Sequence, residues 1–215
     1  MMPPPRHNSP SYKTADWPGV TAHCGSVNDS CIMLADVVWV NTGIVVTTTT
    51  AQAITSPTFP ARDLNGSTNG EGYVIGLLTT TANTNAAAIT NSTVTYTNSD
   101  GTGSRTATLL AVAGDQIPPT PVIGNVVWFQ LAAGDKGVRS IQSITLGTSL
   151  GAGAVSLIVA RPLTLLSCTQ VNVATPSKYS DPGIRIYTGS VIIPFIKNTS
   201  SSAVTLTGHV VVAER

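Results

Sequence analysis

The residues that could carry out acid–base or nucleophilic chemistry are few and widely separated. The chain has three histidines, His7, His23 and His209, whereas an active site needs several polar groups that converge on one point. No serine lies in a Gly-x-Ser-x-Gly nucleophile motif. Several acidic residues adjoin glycine or proline, as in Asp100-Gly101 and Asp181-Pro182, where aspartate favours turns. We therefore expect that the protein is not an enzyme and has no small-molecule substrate.

Metal and nucleotide sites have equally little support. Cys24 follows His23, which suggests zinc, but neither paired Cys-x-x-Cys motifs nor a spaced histidine pair is present. We expect free thiols, with pairing of Cys24 and Cys31 left open. Residues 147–153 resemble a phosphate loop superficially but lack the Gly-Lys-Ser/Thr ending. The sequence therefore predicts no metal and no cofactor.

The charge content of the chain is unusually low. Only 10% of residues are charged, against about 25% in typical soluble domains. Neutral hydroxyl and amide side chains suit a surface that neighbouring subunits cover, although a threonine-rich extracellular domain without a partner has the same composition. The net charge of +1 favours neither nucleic acid nor an anionic membrane as a partner.

Targeting signals and membrane spans are also not expected. The segment Met1-Met2-Pro3-Pro4-Pro5-Arg6 has no apolar core of a secretion signal. No stretch approaches the roughly 20 apolar residues that a membrane span needs.

Residues 31–215 have the texture of a β-domain. Runs rich in β-branched and aromatic residues alternate with glycine, proline and asparagine turn signals. We expect about eight to ten strands in an all-β, antiparallel β-sandwich of jelly-roll type. Two of the predicted strands are residues 44–50, which include four consecutive threonines, and residues 126–131, whose heavy apolar load predicts a central strand.

Two further patterns are specific. Residues 93–97 and 105–110 flank the Asp100-Gly101 turn signal and predict a β-hairpin with a loop longer than two residues. In residues 138–146 the apolar positions, Ile141 and Ile144 among them, do not keep one face, which predicts a bulge or burial on both faces.

Residues 1–30 differ from the rest of the chain and are expected to form an extended, proline-rich N-terminal arm. Prolines at positions 3, 4, 5, 10 and 18 argue against regular secondary structure. The arm is either a floppy tail or a clamp that reaches a neighbouring subunit. If it is a clamp, the candidate partner-binding residues are those of the arm and of the predicted hairpin: Arg6, Tyr12, Trp17, Asp100 and Arg105.

Two segments carry a family resemblance. One is the threonine-rich hairpin of residues 93–109. The other is residues 133–146, which include Gly137-Val138-Arg139-Ser140-Ile141, with their continuation to residues 157–163. Together they resemble structural proteins of tailed bacteriophages, particularly capsid decoration (cement) proteins. The resemblance covers about the middle third of the chain. It implies a jelly-roll-like sandwich, a homotrimer on the capsid surface, and the major capsid protein as partner.

The expected function is therefore that of a virion protein, made in the host cytoplasm, which binds the outside of an assembled capsid and stabilises it. Another virion component, such as a tail tube, fibre or head–tail joining protein, is an alternative. A carbohydrate-binding β-sandwich module is a second alternative, although the chain has only three Trp, five Tyr and three Phe and such modules expose aromatic clusters.

Overall fold

A computed structural model describes residues 15–24, 30–109, 116–168, 174–176, 185–197 and 206–214. Within these ranges the chain is all-β: it contains no helix, and every strand pairing is antiparallel. The expected fold class is confirmed at this level. The strands are β1 Ala15–Cys24, β2 Ser30–Asn41, β3 Gln52–Ala53, β4 Val74–Thr81, β5 Thr93–Asn98, β6 Arg105–Thr108, β7 Val126–Trp128, β8 Val138–Thr145, β9 Ala154–Cys168, β10 Ala174–Pro176, β11 Ile192–Lys197 and β12 Leu206–Glu214.

The strands form three sheets. Sheet I has the order β10-β1-β12, sheet II has the order β11-β2-β9-β4-β7, and sheet III has the order β3-β8-β5-β6. One of the sheets curls into a half-barrel. The long strands β2 and β9 form the centre of sheet II, and two register shifts interrupt their pairing. Such irregularities bend a strand and increase its twist.

The two faces of sheet II carry different apolar clusters. On β9 the side chains of Val155, Leu157 and Val159 join one cluster, whereas Ile158 and Ala160 join another. Successive side chains of a strand point to opposite faces, so the two clusters lie on the two sides of the sheet. The first of them is the main core, to which sheet III contributes buried side chains from its facing strands.

Sheet III supplies its share of that core by the same alternation. Val94 and Tyr96 of β5 are fully buried, and the three threonines of β5 that alternate with them are half-buried. Threonine and other β-branched residues fit such half-buried positions because they pack well on a pleated surface. The predicted hairpin is confirmed: β5 pairs with β6, and the intervening loop is six residues long, from Ser99 to Ser104.

The predicted irregularity in residues 138–146 is confirmed as well. The register between β5 and β8 shifts twice, and Val138, Ile141, Ile144 and Leu146 are all buried. The two bulges bring apolar residues of unequal spacing onto the same side of the sheet.

Three sequence expectations about secondary structure are wrong. Residues 44–50 form no strand, because the Gln52 side-chain amide bonds the backbone of Val45 and Thr48 in place of a ladder partner. Residues 126–131 were expected in a central strand, but β7 is an edge strand of sheet II. Its apolar residues belong to both clusters, because Val127 packs in the main core and Trp128 packs on the opposite face.

The third correction concerns the proline-rich N-terminal segment. Part of it forms β1, which pairs with β10 on one side and β12 on the other. Proline is tolerated there because the register shifts between Asp16 and Gly19, so Pro18 lies in the irregular stretch where a ladder hydrogen bond is not required. Residues 1–14 lie outside the described ranges, and the domain boundary at residue 30 stays a prediction.

Candidate functional site

A polar cleft lies beside the tip of the β5–β6 hairpin. Its volume is about 340 Å³, near the lower end of the range for small-ligand sites. Segments far apart in the sequence form it: the stretch after β3, the loop before β4, the end of β5 and the start of β8. Five hydroxyl groups and one guanidinium line the cleft, from Ser56, Thr58, Thr68, Thr97, Ser140 and Arg139.

The hairpin tip that borders this cleft is held by Asn98. Its backbone N–H donates to Thr102 O at 2.9 Å, and its side-chain oxygen accepts from Thr102 N at 2.8 Å. Gly101 has a positive φ of 86°, which glycine adopts without strain. A Cβ at Gly101 would lie 3.4 Å from a guanidinium nitrogen of Arg139, so the bare glycine leaves that cation accessible.

The base of the hairpin is fixed by a buried carboxylate, Asp135. Its Oδ2 accepts from Tyr96 Oη at 2.5 Å and from Arg105 Nε at 2.9 Å, and its Oδ1 accepts from Asn98 Nδ2 at 2.8 Å. Burial opposes the charge of Asp135, but the hydrogen bonds from Arg105, Tyr96 and Asn98 outweigh it and lower the pKa of Asp135 to about 2. Burial, and then the bond to Asp135, raise the pKa of Tyr96 to about 12.

A second carboxylate, Asp63, organises the loop that supplies Thr68 to the cleft. Asp63 accepts hydrogen bonds from the hydroxyl of Ser67 and from the backbone N–H groups of Asn65, Ser67, Gly70 and Glu71. Burial raises the pKa of Asp63, but these bonds dominate and leave it below its usual value. Both carboxylate oxygens are thus occupied by donors of the same loop, which makes Asp63 an internal anion of the loop rather than a metal ligand.

The same loop is tied to sheet III by a close backbone crossing. Val138 N donates to Gly70 O at 3.0 Å, and Gly72 N donates to Lys136 O at 2.8 Å. A Cβ on Gly137 would lie only 2.0 Å from Gly70 O. The position therefore requires glycine, and the loop cannot shift away from the cleft without breaking the crossing.

A buried ionic network joins the two central strands of sheet II, β2 and β9, to the loop before β4. Asp36 is fully buried beside Arg62, whose Nε is 3.4 Å from Asp36 Oδ2. Ser190 Oγ and Val191 N donate to the two oxygens of Asp36 at 2.8 and 2.9 Å. Arg161 is 2% exposed, and burial lowers the pKa of its guanidinium.

The two arginines hold the segment that leads into β11. Arg62 Nη1 donates to Gly189 O, and Arg161 Nη2 donates to Arg185 O at 2.6 Å. The Arg161 guanidinium also lies 5.0 Å from the ring centroid of Tyr187, a cation–π distance. This network fixes the approach to β11 by charge-assisted bonds to the backbone.

The face of sheet II opposite the main core is apolar. We call it the apolar face; its buried residues are Ala35, Val37, Ile158, Ala160 and Phe195, and its partly exposed residues are Met33, Leu78, Val126 and Trp128. Trp128 packs edge-to-face on Phe195 with ring centroids 5.3 Å apart. Trp128 also covers Gly76, where an added Cβ would lie 2.8 Å from the indole ring. None of these residues is charged.

Exposed aliphatic side chains continue on the two edge strands that border this face. On β11, Ile193 lies on the same face as Phe195, whereas Ile192 and Ile196 point to the opposite face of the strand. All three are exposed, as is Val191 just before the strand. Val122 and Ile123, in the turn before β7, are 67% and 69% exposed. Scattered exposed hydrophobics are ordinary, but their concentration at the edges of an apolar sheet face is typical of interaction surfaces.

The edge of β11 that pairs with no other described strand, its free edge, is interrupted by a proline. Val37 N donates to Val191 O at 2.8 Å, so in the alternating antiparallel pattern the residues paired with β2 through hydrogen bonds are 193, 195 and 197. The backbone of Pro194 therefore faces the free edge, where it offers no N–H. Proline at this position is a known means of preventing strands from adding to an edge.

The predicted partner-binding residues have different locations. Arg6 and Tyr12 lie outside the described residues, and for Trp17 only the backbone position in β1 is described. Asp100 is exposed in the hairpin turn, next to Gly101 of the cleft. Arg105 forms a salt bridge with Asp135 at 2.9 Å, so its guanidinium stabilises the hairpin base.

Sequence reasoning did not identify the cleft or the apolar face. Arg139 was noted only as part of a family resemblance, and Trp128 as part of a strand. The sequence does contain one signal for the apolar face. Residues 126–129 are all apolar, so Val126 and Trp128 give one side of the strand an apolar surface while Val127 and Phe129 give the other side one. The cleft had no such signal, because its lining residues come from four separate segments.

Within the described ranges, no three His, Cys, Asp or Glu side chains are grouped as a metal site would require. No helix long and apolar enough to cross a membrane occurs among the described residues. Comparison of the chain with protein-family models, with curated proteins and with solved structures finds no match.

Proposed function

We propose that this chain is a structural virion protein that binds the outside of an assembled phage capsid and stabilises it, as a cement or decoration protein does. The proposal includes a sandwich of jelly-roll type, a homotrimeric state, the major capsid protein as partner, and no enzymatic activity. It places the protein on the virion surface after synthesis in the host cytoplasm.

The observation that carries the proposal is the uncharged apolar face of sheet II with its exposed aliphatic edges. Four of its residues, Met33, Leu78, Val126 and Trp128, are only partly buried. A chain with 10% charged residues keeps little charge with which to repel a neighbour, and burying such a surface costs little desolvation. The resemblance to decoration proteins in residues 93–109 and 133–163 supports the same assignment.

We take the occupant of the apolar face to be the shell protein of the capsid rather than a second copy. The face contains no charge, so the surface that covers it must be apolar and equally free of unpaired charge. A ligand that binds only the assembled shell stabilises it through mass action, because dissociation of the shell then requires release of the bound protein as well.

The test is co-sedimentation of the purified protein with phage heads that lack it, titrated to saturation. We expect saturable binding at a ratio set by the capsid lattice. The variant Ile123→Ser, which changes an exposed side chain beside the apolar face, should weaken binding about tenfold, consistent with loss of a buried aliphatic contact worth about 1–3 kcal/mol.

Val45→Ser is the matched control, because Val45 is also a large exposed aliphatic residue, 53% exposed, but belongs to the loop before β3. Its affinity for heads should match that of the unaltered protein. Absence of saturable binding to heads would overturn the proposal. A concentration-dependent dimer that Ile123→Ser abolishes would instead assign the apolar face to self-association.

A further inference from the structure

The cleft beside the hairpin tip has a chemical character that the proposed capsid role does not explain. Its lining is hydroxyl-rich and contains an arginine, and none of the described residues that line it is aromatic. A neutral sugar usually needs an aromatic ring on which its apolar face packs. Whatever binds here must be recognised by hydrogen bonds and charge.

Two of the hydroxyl groups, those of Ser56 and Thr97, are positioned as donors toward the cleft. Ser56 Oγ accepts the N–H of Ile141 at 2.9 Å, and Thr97 Oγ1 accepts from Gln142 Nε2 at 2.5 Å. Neither hydroxyl donates its own proton to another group in the described part of the chain. A hydroxyl that already accepts a bond from the protein keeps its proton available for a ligand. The cleft therefore suits an acceptor-rich ligand.

The charge of the cleft also favours an acceptor-rich ligand, in particular an anion. Arg139 is exposed and forms no salt bridge with a carboxylate among the described residues. Arg105, the other arginine of this hairpin region, is paired with Asp135. Guanidinium groups bind carboxylates in a bidentate fashion, so Arg139 is the group to which an anionic ligand would attach.

The number of donors distinguishes between possible anions. A lone carboxylate has two oxygens, which Arg139 alone can satisfy through its paired N–H groups. Five hydroxyls remain around the same cleft, and they match a ligand that carries several oxygens beside its carboxylate. A volume of about 340 Å³ accommodates one sugar ring.

We propose that this cleft binds an acidic sugar, with the sugar carboxylate on Arg139 and the remaining sugar oxygens on the hydroxyl groups of Ser56, Thr97 and their neighbours. The ligand is a free sugar acid or one residue of an acidic polysaccharide. This site is independent of the apolar face and of the capsid role, so either proposal can fail without the other.

The test is isothermal titration of the full chain with sodium glucuronate, with glucose as the uncharged match and the α-amide of N-acetylaspartate, which has a single carboxylate, as the peptide-like match. We expect glucuronate to bind at least about tenfold more tightly than either of the others, since a charged hydrogen-bonded pair and several sugar contacts act together. Equal binding of glucose and glucuronate, or no binding of glucuronate, would overturn the proposal. Equal binding of the N-acetylaspartate amide would reassign the cleft to acidic peptides and overturn it too.

Two variants assign the binding to the cleft. Arg139→Gln should weaken glucuronate binding about tenfold or more, because it removes the charge of the bidentate donor. Lys136→Gln removes the same charge from an exposed residue that does not line the cleft, and it should leave the affinity unchanged. Equal losses in both variants would mean non-specific attraction and overturn the proposal.

An oligouronate distinguishes the two sources of the ligand. Affinity that rises from the monomer to the oligomer supports a polysaccharide as the source, because neighbouring residues add contacts outside the cleft. Equal affinity supports a free sugar acid. Both outcomes require that Arg139→Gln still weakens binding; if it does not, the oligomer binds elsewhere and the site is not the one proposed.

Discussion

The rings of Trp128 and Phe195 meet edge-to-face at 5.3 Å, although they belong to the two opposite edge strands of the same sheet. Three strands lie between β7 and β11, and neighbouring strands are about 4.8 Å apart. The rings reach each other across small residues, Gly76, Ala35 and Ala160 among them, and a contact over this span requires the sheet to curve toward them. One aromatic pair thus bridges a whole sheet.

This contact should appear as an energetic coupling between distant parts of the sequence. We expect Trp128→Ala and Phe195→Ala each to lower the free energy of unfolding, and the double variant to lose less than the sum. The coupling should be about 0.5–1.5 kcal/mol, the usual value for an aromatic pair. Urea unfolding of the four proteins measures it, and strict additivity would contradict the contact.

The carboxylate at the hairpin base should make stability depend on acid pH. The folded-state pKa of Asp135 is about 2, below its ordinary value of 3.8, so its charge stabilises the fold above pH 4. That contribution is lost as the pH falls from about 4 to about 2. Asp135→Asn should cost about 1.5–3 kcal/mol at pH 7, the value of hydrogen bonds to a charged group.

Thermal unfolding across this pH range checks the assignment. The difference in melting temperature between the unaltered protein and Asp135→Asn should be constant above pH 5 and shrink toward pH 2. Asp100→Asn, in the exposed turn of the same hairpin, serves as the control and should track the unaltered protein. A difference that persists unchanged at pH 2 would refute the role of the Asp135 charge.

Removal of the buried carboxylate Asp36 should be far more damaging than removal of an exposed one. Asp36→Ala leaves the buried Arg62 without its ion-pair partner and removes a charge that stabilises the buried Arg161 cation, a change that costs about 3–5 kcal/mol. Asp100→Ala should change stability by no more than about 0.5 kcal/mol, as exposed substitutions generally do. Chemical denaturation compares them, and similar losses would show that Asp36 is not needed for charge balance.

The proline on the free edge of β11 should limit self-association. Pro194→Thr supplies the missing N–H and a residue that favours strands, so we expect dimers or larger species at micromolar concentration. Sedimentation velocity measures this directly. Pro119→Thr also replaces an exposed proline, but in a loop outside any strand, and it should remain as dispersed as the unaltered protein. Equal behaviour of both variants would exclude an edge role for Pro194.

Sequence reasoning reached the parts of the fold that local patterns encode. The alternation in residues 93–97 and the Asp100-Gly101 turn predicted the β5–β6 hairpin, because side-chain period and turn chemistry act over a few residues. The irregular apolar spacing of residues 138–146 likewise predicted the β5–β8 bulges. The threonine run at 47–50 wrongly predicted a strand. β-propensity takes effect only where a neighbouring strand is available to pair, and here the side chain of Gln52 bonds the backbone instead.

The candidate sites could not be reached in this way. The cleft joins Ser56, Thr97 and Arg139, and its donor character arises only when Ile141 N–H occupies the Ser56 oxygen. The apolar face depends on which strands become neighbours, which nothing in a local pattern specifies. β7 has the composition of a central strand but lies at an edge: Val127 packs in the main core, whereas Trp128 packs on Phe195 on the opposite face and stays only partly buried.

The position of β9 between β2 and β4 has a consequence for how the chain folds. β2 pairs with β9 as far as Ser30 and Cys168. The centre of sheet II therefore joins two segments that are far apart in the sequence. Contacts of such long sequence separation form slowly, in milliseconds to seconds for β-proteins of this kind. During synthesis β2 and β4 must wait for β9 to leave the ribosome, and their apolar residues need protection from other nascent chains until it does.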